Sequence, residues 1–111
     1  APVPNEKNLY RPYAKGLYAR QVFAAPSPNR DYAVEVWRIS VPPRTKSAEV
    51  VFPGAAAVVV LLGQVTVASS GKQQELGLGD SLLLQEGERV AFTNTGSRPA
   101  NLRVVVFRGE G

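Results

Sequence analysis

The hydrophobic residues of this chain fall into short runs that are separated by glycine, proline and small polar residues. The longest run spans residues 55–62 and holds eight apolar residues in a row, followed by Gly63. Such a run is too short to cross a bilayer as a helix, and its small and β-branched residues are typical of a strand buried on both faces. The pattern predicts that this strand lies at the centre of the fold.

Alternation of apolar and polar residues marks a second strand at residues 31–41. Because successive side chains of a strand point to opposite faces, Glu35 and Trp37 share a face with apolar neighbours. If Glu35 is buried, it needs a partner such as an arginine. Trp37, the only tryptophan, either fills the core or forms the floor of a ligand cavity.

Turn signals separate the remaining strand candidates, and no segment shows a helical period. We therefore predict an all-β fold of short, closely spaced antiparallel strands, arranged as a barrel or a sandwich. The further candidates are residues 17–24, 47–52, 64–68, 72–78, 81–84, 89–94 and 100–108.

The first sixteen residues lack both periodicities and contain three prolines and two tyrosines. This composition predicts an extended N-terminal arm, residues 1–16, ahead of a single domain, residues 17–111. Tyr10 and Tyr13 either bury their rings against the domain or a second subunit, or belong to a frayed terminus.

The turns after the central strand have a specific spacing. Gly79, Gly87 and Asn94 fit the pattern G-x5-P-x-G-x2-H-x3-N, with Gln85 at the proline position, and Gly63 fits the last glycine of G-x5-H-x-H-x3-E-x6-G. With these two motifs the chain resembles the small single-domain cupins. The resemblance implies a cupin-like β-barrel or jelly roll. An immunoglobulin-like sandwich is the structural alternative, although the paired cysteines of that fold are absent.

In the cupin motifs three histidines and one glutamate bind a metal ion, and this chain has apolar residues at all four positions. A looser form of the first motif would instead place Glu49 and Val51 at two histidine positions, which leaves one carboxylate alone. The chain contains no histidine and no cysteine, the usual nitrogen and sulfur ligands. The resemblance therefore predicts a cupin fold without metal or other cofactor. The four positions are Val50, Phe52, Ala56 and Val90.

Two functions fit such a fold. The first is a non-catalytic module that acts through protein interaction or oligomerisation, with the four former metal positions packed as core. The second is the binding of a small, largely apolar molecule in the barrel, where alanine in place of glutamate at Ala56 leaves space. The pocket neighbours would then be Trp37, Arg44, Phe92 and Asn94.

A metal-independent enzyme is a third hypothesis. Cupin-like sugar epimerases use a histidine base, which this chain lacks, and its candidate acid–base groups show no paired spacing. No catalytic residue is therefore assigned, and the metal-dependent dioxygenase or isomerase chemistry of cupins is not expected here.

The charge and the first residues of the chain bear on its partners and its localisation. The net charge is +4, but the nine arginines are scattered singly, which does not favour nucleic acid. No segment is long and apolar enough for a membrane helix. The cupin resemblance implies a homodimer, because the strand before the barrel commonly joins a neighbour's sheet. The start Ala-Pro-Val-Pro without methionine favours an exported, processed protein over methionine removal or trimming.

Overall fold

The computed structural model describes residues 10–26, 28 and 31–109. Within these residues the chain forms eleven strands and no helix, which confirms the all-β prediction. None of them belongs to a helix that is long and apolar enough to cross a membrane. The strands are β1 (Arg11–Ala14), β2 (Leu17–Pro26), β3 (Tyr32–Val41), β4 (Thr45–Lys46), β5 (Val50–Val51), β6 (Gly54–Leu62), β7 (Val65–Ser69), β8 (Lys72–Leu76), β9 (Ser81–Leu84), β10 (Arg89–Asn94) and β11 (Ala100–Gly109).

The strands make two antiparallel sheets that pack face to face as a jelly roll. The six-stranded sheet has the order β1-β2-β3-β11-β6-β9, and the second sheet has the order β4-β10-β7-β8, with β5 also paired to β10. The sheets do not close into a barrel, so the jelly-roll form of the prediction is the one observed. Side chains from both sheets fill one core, which includes Leu17, Ile39, Val58, Val67, Phe92 and Val104.

The central strand of the sequence pattern is β6, which lies between β11 and β9. Its burial alternates: Ala56, Val58 and Val60 are fully buried, whereas Ala57 and Val59 are half-buried. The prediction of burial on both faces is therefore wrong for the single chain. The physical reason is that only one face of the six-stranded sheet packs on the second sheet, while the other forms an outer surface.

The predicted strand at residues 47–52 is wrong in its bounds, because pairing with β10 begins earlier, at Thr45 in β4, and resumes only at Val50 in β5. Ser47 interrupts it: its backbone N–H donates to the Phe92 carbonyl at 2.8 Å, and its Oγ accepts from the Phe92 N–H at 2.9 Å. The next residue turns away from β10, and the Ala48 N–H donates to the Lys15 carbonyl at 2.9 Å. The side-chain oxygen thus replaces a ladder bond and lets the strand bulge.

The N-terminal part of the described chain adds an edge to the six-stranded sheet. β1 pairs with β2, and β2 pairs with β3 of the same chain. The predicted first strand at residues 17–24 is therefore part of this chain's own sheet. Of the predicted arm, residues 1–9 lie outside the described residues.

Candidate functional site

A cavity of about 230 Å³ opens at one end of the jelly roll, where the inner face of the six-stranded sheet leaves the core. Along β3 the inner positions are Ile39, Trp37 and Glu35, in order from the core to the opening. On β11, Val106 lies opposite Glu35, and Arg108 follows two residues later on the same face. The complete lining is Tyr13, Ala19, Glu35, Trp37, Ile39, Phe52, Pro53, Val106 and Arg108.

Glu35 is the polar centre of this cavity. The side chain is only 10% exposed, and both carboxylate oxygens have a partner. The Trp37 Nε1–H donates to Oε1 at 3.1 Å, and Arg108 Nη1 lies 3.3 Å from Oε2. The expectation that a buried Glu35 needs an arginine is therefore confirmed, and the arginine is Arg108. Because Arg108 is 53% exposed, part of its guanidinium remains accessible at the opening.

Aromatic rings form one wall of the cavity. Tyr13 on β1 lies 6.2 Å from the Trp37 ring at a tilt of 53°, and 6.1 Å from the nearly parallel Phe52 ring. Burial raises the pKa of the Tyr13 phenol above its usual value of 10.0, and the negative charge of Glu35 adds to this rise. The positive charge of Arg108 opposes the rise in pKa. The wall therefore presents a neutral phenol at physiological pH.

A second, shallower depression of about 330 Å³ adjoins the cavity at the edge of the sheet. The two share Tyr13, Ala19 and Trp37, so the pair of rings forms a partition between them. The other lining residues are Arg11, Pro12, Arg20 and Gln21.

The four positions that the cupin motifs assign to metal ligands lie in the core or pack against it. Ala56 and Val90 are fully buried, Val50 is half-buried beside Val90, and only Phe52 reaches the cavity. A metal ion does not fit these residues, because alkyl and phenyl side chains offer no donor atom. Within residues 10–26, 28 and 31–109, no three His, Cys, Asp or Glu side chains come together.

Of the predicted pocket neighbours, only one lines the cavity. Trp37 lines the cavity, whereas Phe92 is fully buried in the core and Arg44 is exposed in a turn with φ of 52°. Asn94 is buried and has a structural role. Its Nδ2 donates to the carbonyls of Val41 at 3.0 Å and Arg98 at 2.8 Å, and its Oδ1 accepts from the Gly96 N–H at 2.9 Å.

The residues that carry the cupin motifs are turn residues. Gly63, Gly79 and Gly87 have φ of +80°, +84° and +81°, in the region where an L side chain is strained. Gly63 also lies against the backbone of Ala100, 3.1 Å from where a Cβ would be. The turns therefore require glycine at these positions whether or not a metal is bound.

Sequence reasoning missed Tyr13 and Arg108 as site residues. The only signal was Glu35 on an apolar face, which indicated a buried carboxylate in need of a partner. Which arginine of nine would reach it depends on the register of β3 with β11. Periodicity within one strand does not contain that information.

No protein-family model matches the chain, and no curated protein matches it. Solved structures do share its fold. A cupin 2 conserved barrel domain protein from Salinispora arenicola has 19% identity and a TM-score of 0.73, with 97% of this chain and 87% of that chain covered. The cupin_2 domain of an XRE family transcriptional regulator from Enterobacter cloacae has 16% identity and a TM-score of 0.69, with 87% and 100% covered.

A third structure, the polyketide cyclase RemF from Streptomyces resistomycificus, has 16% identity and a TM-score of 0.70, with 96% of this chain and 79% of that chain covered. At these identities the likeness shows the fold alone. The fold of this chain is a cupin fold, as the motif spacing implied.

Proposed function

We propose that this chain is a non-catalytic, metal-free cupin-fold module that binds a small amphipathic molecule in the cavity around Glu35 and Trp37. The observation that carries the proposal is a buried carboxylate at the end of an otherwise apolar, ring-lined space. Ligand sites are typically apolar cavities with a few placed polar groups that fix orientation. The former metal positions take no part in it, apart from Phe52.

The lining favours a neutral ligand with a single ring and one hydroxyl group. Glu35 and Arg108 together carry no net charge, so neither a cation nor an anion is strongly preferred. A ligand hydroxyl can donate to a free lone pair of Glu35 and accept from an unused N–H of Arg108. A cavity of about 150 Å³ is large enough for benzene, so this cavity accommodates one substituted ring.

Binding is preferred over catalysis because the acid–base groups are few. Glu35 is the one carboxylate among the cavity's lining residues, and its oxygens are already engaged by Trp37 and Arg108. General acid–base chemistry needs a positioned pair, and no histidine is present in the chain. One structure of the same fold is a polyketide cyclase, which supports the capacity of this fold to hold an organic molecule.

The test uses Trp37, which is the only tryptophan and therefore reports on the cavity alone. We expect 4-methylphenol to change the Trp37 emission saturably, with at least tenfold tighter binding than toluene, which lacks the hydroxyl group. Glu35→Leu removes the acceptor and should abolish this preference. Glu49→Leu, at an exposed carboxylate outside the cavity, is the matched control and should retain it.

Two outcomes contradict the proposal. One is the absence of saturable change with either compound at millimolar concentration. The other is an unchanged preference for the phenol in Glu35→Leu, once its circular dichroism spectrum shows that the variant is folded.

Self-association is a second candidate function. It is favoured by the exposed apolar side chains on the outer face of the six-stranded sheet, where Phe23 is 53% and Leu83 is 70% exposed.

A further inference from the structure

A further cavity opens at the side of the jelly roll, between the edge strands of the two sheets. Among the described residues, β8 is the last strand of the second sheet and β9 is the last strand of the six-stranded sheet. The space between them measures about 230 Å³, as large as the cavity around Glu35. We call it the seam pocket, and its lining residues are Val67, Ser69, Ser70, Lys72, Gln74, Leu82 and Glu88.

The floor of the seam pocket is apolar because it adjoins the core. Val67 is buried, and Leu82 is half-buried against the core cluster. Leu82 lies opposite the fully buried Val58, so both side chains point to the inner face of the six-stranded sheet. A ligand that places an aliphatic group on this floor removes apolar surface from water.

The strand register brings two opposite charges to the rim of this floor. Ser69 follows Val67 by two residues on β7, and Lys72 lies opposite Ser69 on β8. On the other side of Ser69 lies Val90 of β10, which Glu88 precedes by two residues. Lys72 and Glu88 are therefore placed on opposite sides of Ser69.

Glu88 is held in its ionised form. Its Oε2 accepts from the Ser69 hydroxyl at 2.5 Å, and its Oε1 accepts from the Gln85 N–H at 2.9 Å. The hydrogen bond from Ser69, followed by those from Gln85 and Ser70, lowers the pKa of Glu88 below its usual value of 4.5. An ionised carboxylate has about four lone-pair sites, so Glu88 retains the capacity to accept from a ligand N–H.

Lys72 supplies a positive charge on the other side of the pocket. Among the residues that the structure describes, its ammonium group has no hydrogen bond and no ion pair, either with Glu88 or with another side chain. Gln74 lies two residues further along β8 and adds amide N–H donors to the same wall. The seam pocket therefore combines one fixed negative charge, one available positive charge and an apolar floor.

We propose that the seam pocket binds a free α-amino acid with an aliphatic side chain, such as leucine. The ligand carboxylate contacts Lys72 and Gln74, and the ligand ammonium group contacts Glu88. The aliphatic side chain lies on the apolar floor. This inference goes beyond the proposed function, because the seam pocket and the cavity around Glu35 share no lining residue.

The charges of the seam pocket favour a zwitterion over a simple ion. A ligand with only a carboxylate brings a second negative charge towards Glu88, and a simple amine brings a second positive charge towards Lys72. An amino acid carries both groups on one carbon, so each can meet its opposite charge. A cavity of about 150 Å³ takes up benzene, so the larger seam pocket has room for the leucine side chain.

Titration of the chain with L-leucine, followed by two-dimensional ¹H–¹⁵N NMR, tests the proposal. We expect saturable shifts of the amide signals of residues 67–74 and 88, with a dissociation constant in the millimolar range because both ion pairs are close to solvent. The Trp37 indole signal reports on the other cavity and should not shift.

Three related ligands separate the contributions of the two charges and the side chain. N-acetyl-leucine lacks the ammonium charge and leucinamide lacks the carboxylate, so each should bind roughly fivefold more weakly than leucine. Glycine keeps both charges but has no side chain for the apolar floor, and it should also bind at least roughly fivefold more weakly.

Two variants assign the charges to residues. Lys72→Gln should weaken leucine binding roughly fivefold and leave leucinamide binding unchanged, since that ligand has no carboxylate. Glu88→Gln should weaken leucine binding by a similar factor without weakening the binding of N-acetyl-leucine. The matched controls, Lys15→Gln and Glu86→Gln, change exposed residues that do not line the pocket and should keep the wild-type affinity.

Several results overturn the proposal. One is the absence of saturable shifts at residues 67–74 with millimolar leucine, and another is a shift of the Trp37 indole alone, which places leucine in the cavity around Glu35. Equal affinities for leucine and N-acetyl-leucine would show a carboxylate site, such as one for a peptide C-terminus, instead of an amino acid site. Wild-type leucine affinity in a folded Lys72→Gln variant would also rule out the assigned contact.

Discussion

The inner face of the jelly roll has two regions with opposite chemistry. At two positions that the cupin motifs assign to metal ligands, Ala56 and Val90 are fully buried among other apolar side chains. At the opening, Glu35 is also largely buried, but it is surrounded by a tryptophan donor, an arginine and a tyrosine. A buried polar group is tolerated only with partners, so apolar side chains suit the first region, while the second can hold a carboxylate because its partners are present.

The residues that maintain the fold are different from those that form the cavity. The cupin fold depends on glycine turns and on Asn94, whose side chain ties β10 to the Val41 carbonyl and to the turn that precedes β11. None of these residues needs a metal. The cavity that the chain presents is built around Glu35 and Trp37 on β3, where the sheet leaves the core.

The largest effect on stability is expected when a carboxylate is placed in the apolar core. Ala56→Glu places an ionised group where the side chain is fully buried and no cation is near in the core cluster. We expect a loss of roughly 3–5 kcal/mol in the free energy of unfolding, measured by urea denaturation. Ala48→Glu, at an exposed loop position, is the control and should change stability by less than about 0.5 kcal/mol.

If Ala56→Glu instead unfolds at the same urea concentration as the wild type, the former metal positions are not a packed core. They would then hold enough water or space for a charge.

A smaller loss of stability is expected when Arg108, the partner of the buried Glu35 carboxylate, is replaced. Arg108→Leu leaves the Glu35 carboxylate with only the Trp37 hydrogen bond. Removing one member of a fully buried pair is strongly destabilising, but Arg108 is half exposed and water can replace part of its contribution. We therefore expect a loss of about 1–2 kcal/mol in the same urea measurement.

The double variant Glu35→Leu/Arg108→Leu should recover part of this loss, because neither charge then remains unpaired. Arg98→Leu, at an exposed turn position, is the control for removal of a surface arginine. Equal losses in the single and double variants would contradict the pairing of Glu35 with Arg108.

The sequence allowed the strands, the turns and the fold to be predicted, because period-two alternation and glycine positions are local properties. Gly79 and Gly87 sit at turns that the motif spacing predicted, and Asn94 ends strand β10. The break between β4 and β5 escaped prediction because it depends on a bond between Ser47 and Phe92, forty-five residues apart. The cavity escaped for the same reason, since Tyr13, Glu35 and Arg108 come from three strands.

The smallest expected effect concerns the Tyr13 phenol. Its raised pKa makes ionisation unfavourable in the folded state. A phenol with a folded pKa above its unfolded value of 10.0 contributes stability below pH 10, and that contribution is lost as the pH rises through the folded pKa. We expect the melting temperature to fall above about pH 10 and to fall less in Tyr13→Phe, which has no proton to lose. Tyr18→Phe changes an exposed tyrosine outside the cavity and is the control. If Tyr13→Phe follows the wild-type curve between pH 8 and 11, the phenol does not share the low-polarity environment of Glu35, and the ring wall is open to water.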